Sequence, residues 1–366
     1  MGGAIATIIR TPILWLLIFV PVAIVGEHIF PQAHTLLFLL SVAAIVPLAA
    51  LLSQATEAVA ARTGDTIGAL LNATLGNLTE LVIALMALAA GQYLLVKASI
   101  AGAIVTNTLF MLGGSFLFGG LKFHLQEFNR VNARFQASLL FMATVAVLVP
   151  SLIGTADGLP QTAFTQQLSA GLSVVLIVAY GLWMLFSLRT HRELFVSAGA
   201  GHGDGEDVRW PLSTGIIVLL VVTVLVALVS EVFVGSVQVA AEELGMTPAF
   251  VGFVVVALVG AAAEMATAFS AARKDKLDLS VGIALGSAVQ IALFVAPLLV
   301  LLSYVLGPQP MDLQFWPGAI VMMLVATMAA TLLSNAGRSA WYMGVLALTV
   351  YMIFAMTLFL LPPQVQ

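Results

Sequence analysis

Leu75-Gly76-Asn77-Leu78-Thr79-Glu80-Leu81 and Val259-Gly260-Ala261-Ala262-Ala263-Glu264-Met265 are the two stretches on which the reading of this chain turns. Each sets a glycine four residues before a glutamate inside an apolar run. Each is followed by an amide in the next apolar stretch, Asn107 coming 27 residues after Glu80 and Gln290 coming 26 after Glu264. A glutamate and an amide recurring at matched spacing mark an internal duplication.

The surroundings of these motifs identify their solvent. The 366 residues are 61% hydrophobic and only 8% charged, against about 25% charged in soluble domains, so a water-soluble globular fold is excluded. There is no cysteine, which removes disulfides, thiolate metal sites and cysteine nucleophiles and leaves cation chemistry to oxygen or imidazole. Apolar runs long enough to cross a bilayer occupy residues 12–26, 35–62, 67–91, 97–121, 132–153, 166–190, 211–244, 247–274, 279–306, 313–334 and 339–361. The first follows Arg10 like a signal peptide, but Val25-Gly26-Glu27 is a poor cleavage site and the stretch reads as a retained helix. The expected fold is an all-α polytopic membrane protein of eleven transmembrane helices.

With a cytoplasmic N-terminus, twelve of the thirteen Lys and Arg fall in inside loops and only Lys97 outside. The positive-inside rule therefore supports both the span count and an outside C-terminus. Most of the seventeen acids then lie in loops or at helix ends, and four glutamates remain within apolar stretches: Glu57, Glu80, Glu231 and Glu264. A carboxylate there costs at least about 2.5 kcal/mol, so each must face a partner or a water-filled cavity. Glu57 stands near Arg62, where an ordinary ion pair competes with a functional role, and Glu231 suits gating as well as ligation. Glu80 and Glu264 have no base within two helical turns.

The two motifs lie five spans apart, in the third and eighth stretches, so Glu80 lies on a span running outward and Glu264 on one running inward. The halves are then inverted repeats, an arrangement that places a site at the midplane. The expected layout is an extra helix at 1–34, a first five-helix repeat at 35–196, a cytoplasmic linker at 197–210 with the short acidic run His202-Gly203-Asp204-Gly205-Glu206-Asp207, and a second repeat at 211–366. Gly76 and Gly260 mark where the helical ladder can break, freeing the carbonyls of Gly76, Ala73, Gly260 and Ala257. Irregular backbone at membrane depth is tolerated where it lines a cavity or binds an ion. Two carboxylates with carbonyls and amides form an all-oxygen cage, which suits a hard cation such as Ca2+. The five histidines all fall in loops or at helix ends, so softer metals are disfavoured.

The segment Gly64-Asp65-Thr66-Ile67-Gly68 through Asn72-Ala73-Thr74-Leu75-Gly76-Asn77-Leu78-Thr79-Glu80-Leu81 resembles the first alpha-repeat of Ca2+/H+ exchangers, a branch of the calcium/cation antiporter superfamily. The likeness continues through Lys97-Ala98-Ser99, Asn107, Gly119-Gly120-Leu121-Lys122, Ser230-Glu231, Val255-Val256-Ala257-Leu258-Val259-Gly260, Ala262-Ala263-Glu264, Lys276-Leu277-Asp278-Leu279 and Gly286-Ser287, nearly the whole chain. The resemblance implies a core of ten helices plus one, with Asn77 and Ser287 joining Glu80, Glu264, Asn107 and Gln290 among the cation ligands. Three positions depart from the family pattern: Ala261 replaces an asparagine, Met265 a histidine, and Gln238, the counterpart of Glu57, a glutamate.

The implied activity is exchange of Ca2+ for H+ by alternating access, the cation and protons competing for Glu80 and Glu264, with Glu57, Glu231 and Gln238 on the proton pathway or gates. Ca2+ is substrate, and no cofactor or nucleic acid is expected; the partners are Ca2+, H+ and the bilayer, and the apolar exterior permits a homo-oligomer without singling out an interface. Short loops fit a prokaryotic inner membrane. A Na+/Ca2+ exchanger of the same fold and a passive cation channel are the alternatives. An intramembrane protease would need mid-span aspartates, histidines or a zinc motif, and none of the apolar stretches carries these mid-span.

Overall fold

A computed structural model describes residues 12–153, 161–191 and 210–360. The linker expected at 197–210 lies, apart from Trp210, outside the described residues, and its acidic run with it. The apolar stretches fold as helices: α1 (Ile13–Ile29), α2 (His34–Ala60), α3 (Asp65–Leu75), α4 (Leu78–Ala89), α5 (Tyr93–Phe123), α6 (Arg130–Ile153), α7 (Gln161–Leu185), α8 (Leu212–Glu243), α9 (Pro248–Gly260), α10 (Ala262–Arg273), α11 (Leu277–Leu302), α12 (Pro317–Ser334) and α13 (Trp341–Leu360). Among the described residues nine spans are long and apolar enough to cross a membrane, and ten if α9 and α10, bent by 59°, count as one. The eleventh stretch is the shorter apolar helix α1.

The core is built from small and branched apolar side chains, with Ala44, Leu48, Ile104, Val226, Val229 and Ala292 fully enclosed. Outward faces stay apolar, as at Leu220, Val224, Met352 and Met356, which is the surface of a multi-pass protein solvated by lipid. The long helices α2 and α8, first in their halves, pack along one another. Glycines set the closest approaches. A β-carbon at Gly344 of α13 would lie 2.4 Å from the Gly113 carbonyl oxygen of α5, and one at Gly102 of α5 would lie 2.1 Å from that of Phe253.

The bases gather at one end. Lys122 Nζ donates to the Arg273 carbonyl at 2.9 Å, while β1 (Leu125–Glu127) pairs antiparallel with β2 (Arg338–Ala340), tied by an Arg338–Glu127 ion pair of 2.9 Å. Lys97 sits at the opposite end of α5 from Lys122 and meets Asp312 at 2.5 Å. The side with one lysine is therefore separated from the base-rich side by the length of a 31-residue helical span.

Candidate functional site

Both motif helices break, but one residue after the glycine. Gly76 keeps helical angles (φ −55°, ψ −45°) while Asn77 leaves them (φ −97°, ψ 31°); the second break falls at Ala261 (φ −81°, ψ 6°). Neither glycine has a positive φ. A β-carbon on Gly260 would stand 2.8 Å from Glu80 Cγ of the other half, whereas one on Gly76 would stand 2.8 Å from the Asn72 carbonyl oxygen of its own half and in ordinary contact, 3.4 Å, with Gln290 Oε1. Gly260 thus makes room for Glu80, and the two broken helices meet at their breaks.

The breaks place both glutamates alike. Glu80 is the third residue of α4 and Glu264 the third of α10, where the helix N-terminus favours negative charge. Glu80 packs against Gly260, one turn before Glu264, which brings the two side chains to the same crossing. Each has one carboxylate oxygen, Glu80 Oε1 and Glu264 Oε2, buried without a hydrogen-bond partner. Unpaired buried acceptors are rare in native proteins, and two from opposite repeats in one place form an oxygen-lined position for a cation or a proton.

An amide and hydroxyl chain surrounds them. Asn107 Nδ2 donates to Ser287 Oγ at 2.9 Å, and Ser287 Oγ donates to Asn77 Oδ1 at 2.7 Å. Asn107 Oδ1 and Asn77 Nδ2 stay buried and unpartnered. Gln290 Nε2 donates to the Thr74 carbonyl at 3.2 Å, and the Tyr180 hydroxyl donates to the Ala73 carbonyl at 2.5 Å. Hydrogen bonds thus link Asn77, Ser287 and Asn107, while Gln290 holds the end of α3. The carbonyls behave less uniformly. Among the described residues no backbone N–H closes on Gly76 or Ala73, but Ala257 is not freed. Its carbonyl accepts from Ala261 N at 3.1 Å, because the second break comes late enough to keep that bond.

The two glutamates face different spaces. Glu264 lines a cavity of about 400 Å³ that runs past Gly286, Gln136 and Asn132 to Asp278 and Glu57. Glu80 faces a pocket of about 10 Å³ walled by Ala84, Ile100, Ala103, Val256 and Leu299, no larger than one water requires. Glu57 accepts from Ser53 at 3.5 Å and, among the described residues, makes no ion pair with Arg62. Glu231 and Gln238 are exposed on α8 and do not line this cavity. The sequence reading missed Asn132, Gln136 and Tyr180. The signal available was an amide repeated one turn apart, alternating with Arg130 and Arg134 at the start of α6.

The family model described as sodium/calcium exchanger protein matches residues 33–189 and 214–360. The chain is 41% identical over 362 residues to a "Ca(2+)/H(+) antiporter" of Aphanothece halophytica, covering 95% of this chain and 96% of the relative. It is 42% identical over 367 residues to a "Ca(2+)/H(+) antiporter" of Synechocystis sp., covering 96% and 97%. Among solved structures, native YfkE matches with a TM-score of 0.83 and 35% identity over 96% of this chain and 100% of that one.

Proposed function

We propose that this chain, which belongs to the sodium/calcium exchanger protein family, exchanges Ca2+ for H+ across a membrane by alternating access at Glu80 and Glu264. The observation carrying this is the pair of unpartnered buried carboxylate oxygens, one from each half, at the crossing of two broken helices. Withdrawing two neighbouring carboxylates from water disfavours their charged forms, whereas a bound divalent cation favours them. Protons therefore replace the cation on the return step. Asn77, Asn107, Ser287, Gln290 and the carbonyls of Gly76, Ala73 and Gly260 complete the ligand set, Ala257 requiring a further opening of its turn. Ca2+ suits this cage of neutral and charged oxygens.

The cavity reaching Glu264 is lined by Asp278, two residues after Lys276, and by Glu57, five residues before Arg62, which puts its mouth toward the base-rich side. By the positive-inside rule that side is the cytoplasm, the N-terminus is cytoplasmic and the C-terminus outside, and the conformation is inward-facing. Glu57 gates this side. Gln238 and Glu231 serve the outer route, which the apolar wall beside Glu80 now closes. The halves at 35–196 and 211–366 rock about the fixed site, with α1 as the added element. The relatives' bacterial hosts and the short loops favour a prokaryotic inner membrane; the apolar exterior allows a second copy to pack beside the first. The chain works as a transporter, not as an enzyme.

Flux into inside-out vesicles tests the proposal. Proton-gradient-driven Ca2+ uptake is expected in the wild type, abolished by Glu80→Gln or Glu264→Gln and reduced by Glu57→Gln or Glu231→Gln. Full activity in either central variant overturns the assignment of the site. Uptake that follows a Na+ gradient without pH dependence identifies a Na+/Ca2+ exchanger, and uncoupled flux a channel.

A further inference from the structure

The cavity in front of Glu264 carries an amide pair with no place in the exchange chemistry above. Asn132 and Gln136 lie one turn apart on α6 and are each more than nine-tenths buried. Gln136 Nε2 donates to Asn132 Oδ1 at 2.8 Å, which fixes the amide plane and turns its oxygen away from α6. That oxygen, Gln136 Oε1, is buried without a partner on the wall of the cavity. Across from it stands Gly286, where a β-carbon would meet nothing nearer than Gln136 Oε1 at 3.8 Å, and one turn earlier Gly282 faces open space. Asp278 and Gly282 precede Gly286 at four-residue intervals, so one face of α11 runs from a carboxylate near the mouth along bare backbone to Ser287 beside the glutamates.

We propose that Gln136 is a specificity-determining ligand: a way-station where a hard divalent cation entering past Asp278 exchanges one water for the Gln136 carbonyl oxygen before it reaches Glu264. The inference rests on the exchange reading above. A neutral amide oxygen is an ordinary ligand for Ca2+, which tolerates irregular shells of six to eight oxygens, whereas Mg2+ gives up its waters reluctantly. A buried amide oxygen left unpaired is costly, and a passing cation removes that cost. Asn132 acts through Gln136 as a positioning residue.

The test compares Gln136→Leu, which keeps the bulk and removes the ligand, with Gln136→Glu, which keeps the reach and adds charge. Both are assayed as the full chain in vesicles for the KM and Vmax of Ca2+ presented on the cavity side. Loss of the oxygen is expected to raise KM roughly five- to tenfold, the ratio set by about 1 to 1.4 kcal/mol, with Vmax held within about twofold. Gln136→Glu is expected to move KM the opposite way. A Leu variant with unchanged KM, a fall in Vmax alone, or a KM shifted the same way by both variants overturns the proposal, since a packing role gives no sign reversal. Absence of Ca2+ flux in the wild type refutes the exchange reading separately. The KM comparison is then made with whichever of Mn2+, Na+ or K+ the wild type carries.

Discussion

Gly260→Ala tests the crossing of the two repeats directly. The added β-carbon would stand 2.8 Å from Glu80 Cγ, 3.2 Å from Cδ and 3.4 Å from Oε1. Carbon atoms settle at about 3.5 to 4.0 Å, so Glu80 must withdraw by roughly 0.7 Å or more. Functional metal sites hold ligand distances to about 0.2 Å. The displacement exceeds that tolerance several-fold, and overpacking of this kind costs about 1 to 3 kcal/mol. Set against cation binding at 1.4 kcal/mol per decade, the expected rise in KM for Ca2+ is roughly fivefold to a hundredfold. Gly260 is the last residue of α9 and has no positive φ, so alanine meets no backbone strain there. Thermal unfolding of the variant separates loss of transport from loss of fold. Gly282→Ala is the control: it lines the cavity in front of Glu264 with nothing within 4 Å of the new carbon, and its KM should stay within about twofold of wild type. The assay is Ca2+ concentration dependence of pH-driven flux with protein amount verified. A folded Gly260→Ala protein with wild-type KM refutes the placement of Glu80 against Gly260.

Competition between protons and cation fixes the sign of a pH dependence. Lowering the pH on the cavity side protonates the carboxylates the cation needs, so KM for Ca2+ rises, by up to about tenfold per pH unit for each competing proton; a KM flat between about pH 6 and 8 excludes competition at one site. Lys97 and Asp312, 2.5 Å apart and 17% and 27% exposed, tie the start of α5 to the loop before α12. Lys97→Met alone strands the carboxylate, and pairing it with Asp312→Asn should restore part of the loss, with a coupling of about 0.5 to 3 kcal/mol in thermal unfolding; additive single effects refute the tie.

How far the sequence carries is visible in the motifs themselves. The helices were legible because runs of apolar residues near twenty long admit one reading, and the glutamates because four acids within such runs stand out from all others. The breaks were harder. A glycine signals both a weak point in a helix and a close approach, and which applies at Gly260 depends on Glu80, a residue of the opposite half that spacing cannot place. The release of Ala257 failed because it assumed a break at Gly260 where Ala261 carries it. Asn132 and Gln136 passed unnoticed because they alternate with Arg130 and Arg134 at the start of α6, where polar residues are ordinary at a membrane interface, and their meaning comes from a cavity formed by α6 and α11 together.

These amides also make the two routes chemically unequal. Asn132 and Gln136 are the third and seventh residues of α6; the third and seventh of α12, the corresponding helix of the other half, are Ala319 and Met323, both fully buried. The pocket beside Glu80 is likewise walled by alanine, valine, isoleucine and leucine with Ser99 as its one hydroxyl. A duplicated scaffold supplies two matching carboxylates at the crossing, but among the described residues the cavity in front of Glu264 is far richer in oxygen ligands than the pocket beside Glu80. Desolvation without replacement raises the barrier on the apolar side, whereas stepwise exchange of ligands lowers it on the other. The inverted symmetry thus accounts for how one site can face either side, and the departure from symmetry at α6 accounts for why the cavity side is built to capture.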